Sequence, residues 1–415
     1  MNAKIVSIYI KGISNYSNSE FKIDFYNYKR ATNKYYELEN LVSSLYVHTV
    51  MGLVGANASG KSMSLELTKW IIGFFTNNKD SLSELKHIAF FEDMITFKVV
   101  LFDSLRDNSI MQNTLIVNNL DRENPFVQDE VIDLKFTTER QAKESILDFS
   151  NTIGGINRND VESFFRRRNN DINESKNMNE NTINEFKLNN KTSMNNYFKF
   201  YNKIDVFSEA CQPKLNESFN NIRNTPLSLI KYLDSSISSI ETLASSNESN
   251  KIYKLIFNDD NEITGGVETI STYLSSGTVR GVEIFAKTIL ALESGGYFFI
   301  DEIEVSLHKA LVVDLIKIFN SPRTNPNHAI LIFSTHYSEI LESLRRTDSL
   351  HLCSKNQKGK LEINNFSKLM ERNDISKSEL YLTGMLRKPT APNYFLYQNF
   401  LKDLEKLILK EKHNA

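Results

Sequence analysis

The stretch Gly55-Ala56-Asn57-Ala58-Ser59-Gly60-Lys61-Ser62 sets two glycines, four residues between them, ahead of a lysine and a hydroxyl. The glycines let the backbone curl so that successive N–H groups converge, Lys61 adds a point charge, and Ser62 offers a hydroxyl to Mg²⁺. Such a loop cradles nucleotide phosphates when a strand precedes it and a helix follows. Tyr46 to Val54 is mostly apolar and β-branched, and Lys61 to Phe75 carries Leu65, Leu67, Trp70, Ile71 and Phe74 at the density of a buried helix. Both conditions are met, and phosphate is expected at a helix N-terminus. The alternative, a glycine-rich turn with no ligand, does not require lysine and serine in these places.

A second set of candidates follows strands. The apolar run Gly295 to Ile300 ends in Asp301-Glu302, two carboxylates at the edge where open α/β sheets bind ligands. Asp301 is expected to hold the water shell of Mg²⁺, and Glu302 to orient and deprotonate the water attacking a γ-phosphate. Ala329 to Phe333 is another apolar strand and ends in Ser334-Thr335-His336. His336 falls at the same edge, where it can donate a hydrogen bond to the γ-phosphate or to that water. His308, in Glu304-Val305-Ser306-Leu307-His308, reads as a helix-start contact rather than a metal ligand. Leu274-Ser275-Ser276-Gly277-Thr278 opens a helical stretch running through Leu292. Taken alone it is a capping sequence; serines and glycine at a helix start also make an anion site.

The elements around these motifs divide the chain. Lys4 to Ile10, Phe21 to Phe25, Ile95 to Phe102 and Thr114 to Val117 read as strands of an antiparallel section. From Thr137 to Ser249 the apolar positions thin out and helical spacing dominates, with asparagine very common between Asn169 and Asn196; this is a mostly helical insertion with a partly ordered surface segment. Arg166-Arg167-Arg168 beside Phe164-Phe165 reads as a solvated charged face, with a grip on a phosphate backbone as the alternative. Lys254 to Phe257 resembles a strand, and an α/β section follows from Ile270 to Phe333. No long heptad run appears.

The 415 residues carry a net charge of −2, which gives no global attraction to nucleic acid or anionic membrane. Two cysteines, Cys211 and Cys353, argue against a disulfide framework. No apolar stretch approaches the ~18 residues that span a bilayer, so the expectation is a cytoplasmic protein with no membrane partner.

Phosphate loop, LSSGT, FFIDE and STH stand in the order found in ATP-binding-cassette ATPases. The chain resembles the soluble heads of the SMC and RecF type and, within those, the abortive-infection and OLD-type ATPases of bacterial anti-phage systems, over about residues 1–130 and 250–345. The resemblance implies an α/β fold: a P-loop ABC-type ATPase head with an antiparallel β section and a helical insertion. Its parts are 1–136 with the phosphate loop, 137–249 inserted, 250–345 with signature, Asp-Glu and switch histidine, and 346–415 as a C-terminal extension. It implies ATP and Mg²⁺ as cofactors, with ATP held by Gly55, Asn57, Ala58, Ser59, Gly60, Lys61, Ser62 and Met63 together with Ser275, Ser276 and Gly277. Ser62 and Asp301 serve the metal; Glu302 and His336 are catalytic. It also implies a head-to-tail homodimer or higher oligomer, with Ser275 and Gly277 of one chain meeting the γ-phosphate held by Lys61 of the other.

Two departures stand out. Ala58 occupies a position where many relatives of the SMC heads carry glycine, and the glutamine that joins the nucleotide site to the inserted lobe has only Gln112 and Gln128 as candidates. OLD-type nucleases continue into a metal-dependent nuclease domain, whereas about 80 residues follow His336 here and hold no comparable acidic cluster. They include basic Leu386-Arg387-Lys388-Pro389 and then Tyr394 to Lys410, whose helical spacing suggests a docking helix. The expected function is an ATPase subunit of a phage-defence or toxin-antitoxin-like system that controls a separate effector protein, a toxin or nuclease. The rivals are a RecF-like repair ATPase that binds nucleic acid directly and, more weakly, the nucleotide-binding subunit of a transporter.

Overall fold

Strands with one apolar face and strands apolar throughout sort into two different sheets, as burial on one face or on both requires. The computed structural model describes residues 3–31, 37–76, 81–104, 108–150, 152–157, 192, 204–209, 226–243, 252–369, 376–382 and 398–403. The first sheet is antiparallel, in the order Glu20–Asp24, Lys4–Ile13, Phe91–Asp103, Ser109–Asn118, Phe126–Phe136, Ile153–Asn157. Buried and half-buried residues alternate along Ser109–Asn118, so one of its faces is covered. The second, central sheet runs Val206–Glu209, Tyr297–Ile300, Ile330–Thr335, Val50–Val54, Leu350–Lys355, Leu361–Asn365. All of its pairings are parallel except the last. Its three middle strands are buried from end to end.

The helix Lys61–Thr76 lies between the sheets. Its Leu65, Trp70 and Phe74 share a core with Ile8, Phe97 and Val99 of the antiparallel sheet and with Met51, Leu53, Phe299 and Ile332 of the central one. Trp70 stacks on Phe74 with ring centroids 4.8 Å apart and reaches Phe97 at 6.1 Å. The opposite face of the central sheet buries Phe298, Ile300, Leu331 and Phe333 beneath helices Ser276–Ser294 and Lys309–Asn320. Alternate residues of one strand thus feed two cores, each buried aliphatic or aromatic side chain contributing roughly 1.5–3 kcal/mol. This double burial fixes the strand ends, and with them the site, to a rigid frame.

One expectation is revised. Tyr46 to Val54 is not one strand: Leu45–His48 pairs with Leu38–Val42 in a separate antiparallel ribbon, and Val50–Val54 enters the central sheet. At the junction, Thr49 donates its N–H to Glu37 O at 3.2 Å and accepts from Leu331 N–H at 2.9 Å. Hydropathy runs unbroken through Thr49 because both pieces are buried, so the change of partner leaves no trace in it. Most of the segment 137–249, expected to be a mostly helical insertion, lies outside the described residues; those described form the strands Ile153–Asn157, Val206–Glu209 and Ile237–Leu243 and the short helices Lys143–Leu147 and Leu227–Leu233. Val206–Glu209 belongs to the central sheet itself, pairing in parallel with Tyr297–Ile300. Ile237–Leu243 forms a three-stranded sheet with Ile252–Phe257 and Glu262–Gly265.

The residues Phe164 to Arg168, the asparagine-rich stretch apart from Thr192, Cys211 and the basic Leu386 to Pro389 lie outside the described residues. So does most of Tyr394 to Lys410, of which 398–403 are helical. Among the described residues, no helix is long and apolar enough to cross a membrane.

Candidate active site

The phosphate loop leaves the buried strand Val50–Val54 and turns into the first turn of helix Lys61–Thr76. A Cβ on Gly55 would run into the carbonyl oxygen of Cys353 and the hydroxyl of Ser59, and one on Gly60, where φ is +91°, would lie 2.8 Å from Leu361 Cδ1. Both positions therefore require glycine for space, and Gly60 for its backbone as well. Cys353 itself is buried beneath the loop, and burial, opposed by Lys61 and a hydrogen bond from Ser64, pushes its thiol up to about 12. It is a packing residue, not a nucleophile.

The Lys61 side chain is buried, and its ammonium donates to Gly55 O at 2.9 Å and Ala56 O at 3.0 Å. The loop's own carbonyls stand where phosphate oxygens would compete for the same protons. Ser59 Oγ is buried with no hydrogen-bond partner among the described residues. A buried hydroxyl left unpaired is costly, and an anion in the cradle would relieve it. The loop thus fits a phosphate group on three counts: space, a positioned ammonium and an unfilled donor.

Ala58, the position that departs from the glycine of many SMC-type heads, has φ of +59°. A residue with a Cβ costs roughly 1–2 kcal/mol in that region, which explains why glycine is common in its place. Replacing Ala58 with glycine is expected to raise stability by about 1 kcal/mol once glycine's larger unfolded-state entropy is offset, with nucleotide affinity changed less than about threefold. Urea unfolding and nucleotide titration check it; a destabilised Ala58→Gly variant would contradict the strain.

Across the cleft, Tyr297–Ile300 ends in Asp301 and Glu302, both half-buried. Glu302 takes φ 46° and ψ 62°, a left-handed conformation rare for glutamate, and its carboxylate has no hydrogen-bond partner among the described residues. Strain of this kind persists where the surroundings impose it, and Ser334 does so here. Ser334 Oγ donates to Asp301 Oδ1 and accepts the Glu302 N–H at 2.8 Å. Two positions further on, His336 turns to the cleft with its side chain 35% exposed, and its Nδ1 lies 2.5 Å from Glu304 Oε1.

A cleft of about 630 Å³ gathers Asn57, Ala58, Ser59, Gly60, Lys61, Ser62 and Met63 with Glu302 and His336. Gly55 and Asp301 lie behind it, joined to it through Lys61 and Ser334. Sequence reasoning missed Asn15, Phe90, Lys355, Gly359 and Leu361, which also line the cleft. They arrive from three other parts of the chain and carry no local pattern. Phe90, 69% exposed, offers an aromatic face at the mouth. Ser334 and Glu304 were also missed, although both stand inside motifs already singled out.

The structure does not bring Ser275, Ser276 and Gly277 to this cleft. They are exposed at the start of the 19-residue helix Ser276–Ser294, where Ser275 is the cap and its Oγ accepts the Thr278 N–H at 3.0 Å. That helix is tied to the sheet edge by Glu209, which pairs with Arg280 and, at 2.7 Å, with Lys287. Gln112 and Gln128 sit in the antiparallel sheet, away from the cleft. His308 caps helix Lys309–Asn320 as expected, its Nδ1 accepting Ala310 N–H at 3.4 Å.

Residues 50–342 match the family described as AAA domain, putative AbiEii toxin, Type IV TA system. No curated protein matches the chain. Among solved structures, the recombination mediator protein RecF with ATP overlaps at 11% identity and a TM-score of 0.36, covering 88% of this chain and 98% of that one. RecF with ATPrS overlaps at 12% identity and a TM-score of 0.35, covering 87% and 98%. The matched family residues run from the strand that carries the phosphate loop to just beyond the helix after His336. The chain belongs to the AAA-domain family described as putative AbiEii toxin, type IV toxin–antitoxin system, and is a P-loop ATP hydrolase.

Proposed function

We propose that this ATPase works as a head-to-tail dimer whose ATP-dependent closure controls a separate effector protein in a phage-defence or toxin–antitoxin setting. The observation that carries the dimer is the exposed signature: Ser275 and Gly277 stand ready at a long helix's N-terminus but outside the cleft of Lys61, Glu302 and His336. A second copy supplies what each cleft lacks. The family's toxin–antitoxin description supports the defence setting.

Within the site, Lys61 and the loop N–H groups hold the β- and γ-phosphates, Phe90 offers a face to the base, and His336 contacts the γ-phosphate. Glu302 takes the proton from the attacking water. Among the described residues no group of three or more His, Cys, Asp or Glu is placed to hold a metal alone. One hydroxyl and one carboxylate suit Mg²⁺, which takes its remaining ligands from phosphate and water; Ser62 and Asp301 are those two groups. Bound Mg²⁺ would neutralise charge on the phosphates.

The C-terminal extension offers a route outward. Its helix Lys377–Leu382 begins at Ser376, and Glu342, just past the short helix after His336, accepts from Ser376 Oγ at 2.8 Å and Ser378 N–H at 2.9 Å. Any movement of the segment after the histidine would reach the extension through this contact.

Mixing two inactive variants tests the dimer. Lys61→Ala and Ser275→Arg are each expected to be inactive, and an equal mixture to recover about a quarter of wild-type turnover, because a head-to-tail pair rebuilds one intact site. A mixture as inactive as its components would sink the dimer. For the effector, Glu302→Gln protein is retrieved from its host with Mg-ATP. One stoichiometric protein supports the reading, whereas DNA without such a protein replaces it with a RecF-like one.

A further inference from the structure

We infer that Glu304 is a positioning residue for His336, setting which ring nitrogen faces the γ-phosphate and tying the histidine to the turn that carries Glu302. The inference rests on the reading of His336 as the γ-phosphate contact. Glu304 lies in the short helix Ile303–Ser306 directly after Glu302, and its side chain is only 2% exposed. One of its oxygens, Oε1, is shared: it accepts the main-chain N–H of His336 at 2.7 Å and lies 2.5 Å from His336 Nδ1, a buried nitrogen that this close approach does not yet align into a hydrogen bond and that has no other partner among the described residues. The other, Oε2, is buried with no hydrogen-bond partner, and no lysine or arginine pairs with Glu304 among the described residues.

A carboxylate buried without a cation is costly, and a fold selected for stability alone would have an apolar side chain here. The compensation falls entirely on His336. A carboxylate against Nδ1 places the proton on that nitrogen, leaving Nε2 as the atom turned toward the cleft. Because the same oxygen also grips the His336 main chain, the origin of the side chain is fixed, and a small turn of the ring brings Nδ1–H onto that oxygen.

The geometry has a parallel one rung back. Ser334 and His336 are two residues apart at the end of strand Ile330–Thr335, and each engages a carboxylate of the 301–304 turn: Ser334 with Asp301, His336 with Glu304. The turn between these rungs contains Glu302. The base and the γ-phosphate contact are therefore held in a fixed relation before ATP arrives, and preorganisation of this kind lowers the cost of reaching the transition state.

The test compares Glu304→Leu with Glu304→Gln and reads the ring directly. Glu304→Leu is expected to lower kcat roughly 10- to 100-fold, the usual effect of removing an orienting carboxylate, with ATP affinity changed less than about threefold. Glu304→Gln keeps an oxygen that accepts from Nδ1–H and from the main chain, and is expected to stay within about threefold of wild type. With ¹⁵N-histidine labelling, wild-type His336 should carry its proton on Nδ1, and Glu304→Leu should move it toward Nε2. An Nε2–H ring in the wild type overturns the inference without any variant, as does a folded Glu304→Leu enzyme with normal turnover. His336→Ala separates the two readings: wild-type turnover there removes the histidine from catalysis, whereas a strong loss beside an unaffected Glu304→Leu removes only the positioning role.

Discussion

Glu302→Gln is expected to bind ATP within about threefold of the wild type while turning over at least about a hundredfold more slowly, the range that a positioned general base supplies. The substitution preserves the length and shape of a side chain that lines the cleft from a left-handed backbone, so the φ of 46° and the N–H bond to Ser334 at 2.8 Å should survive it. What disappears is the group able to take a proton. Binding should hold or tighten, because a carboxylate facing a polyphosphate repels it and an amide does not. Single-turnover measurement of phosphate release, with bound nucleotide quantified after desalting, separates the two quantities. Wild-type release would remove Glu302 from the chemistry and leave Asp301 as the carboxylate to examine. On the proposed dimer, the same variant should accumulate the closed pair with ATP, visible as doubled mass by light scattering.

Lys61→Ala should abolish measurable ATP binding, a loss of about 3 kcal/mol or more, since charge-assisted hydrogen bonds to phosphate are among the stronger polar contacts. The ammonium is buried and already aimed, held between Gly55 O and Ala56 O at 2.9 and 3.0 Å. Its removal therefore acts twice. The phosphates lose a charge, and the unloaded loop loses the two bonds that hold its curl, at a cost of roughly 1–3 kcal/mol in folding stability. Thermal unfolding with and without Mg-ATP distinguishes the effects: the melting point should fall modestly without nucleotide, and the ATP-induced rise should vanish. A variant with an unchanged ATP-induced rise would show that the loop does not hold the phosphates.

The two changes define different halves of one cleft, and they differ in how visible their surroundings are in the sequence. GANASGKS was legible because everything it needs is local: a strand before, a helix after, and glycines where Gly55 and Gly60 have no room for a Cβ. Asp301, Glu302 and His336 were legible for a similar reason, since each follows an apolar run long enough to be a buried strand. The cap role of Ser275 and the helix-start role of His308 were also readable, because capping depends on residues within one turn.

Thr49 shows where such reading fails. The residues on either side are equally buried, so hydropathy could not register that the chain leaves one sheet for another. Val206–Glu209 shows another failure, for half of its four residues are polar and only Glu209 is buried, so it does not declare itself until Tyr297–Ile300 pairs with it.

The sequence by itself determined where the candidate groups stand: a glycine-rich loop with its lysine between strand and helix, a carboxylate pair and a histidine at strand ends, and a helix capped by Ser275, all set by contacts close along the chain. Only the tertiary structure decided the company these groups keep. The central sheet interleaves strands from residues 50, 206, 297, 330 and 350, which brings Lys355 to the cleft and seats Glu304 against His336; the ends of two strands of the antiparallel sheet supply Asn15 and Phe90, and Ser275 to Gly277 face outward. Such neighbours are fixed by which buried faces pack together across hundreds of residues, a choice made by the summed burial of whole sheets and recorded in no single segment.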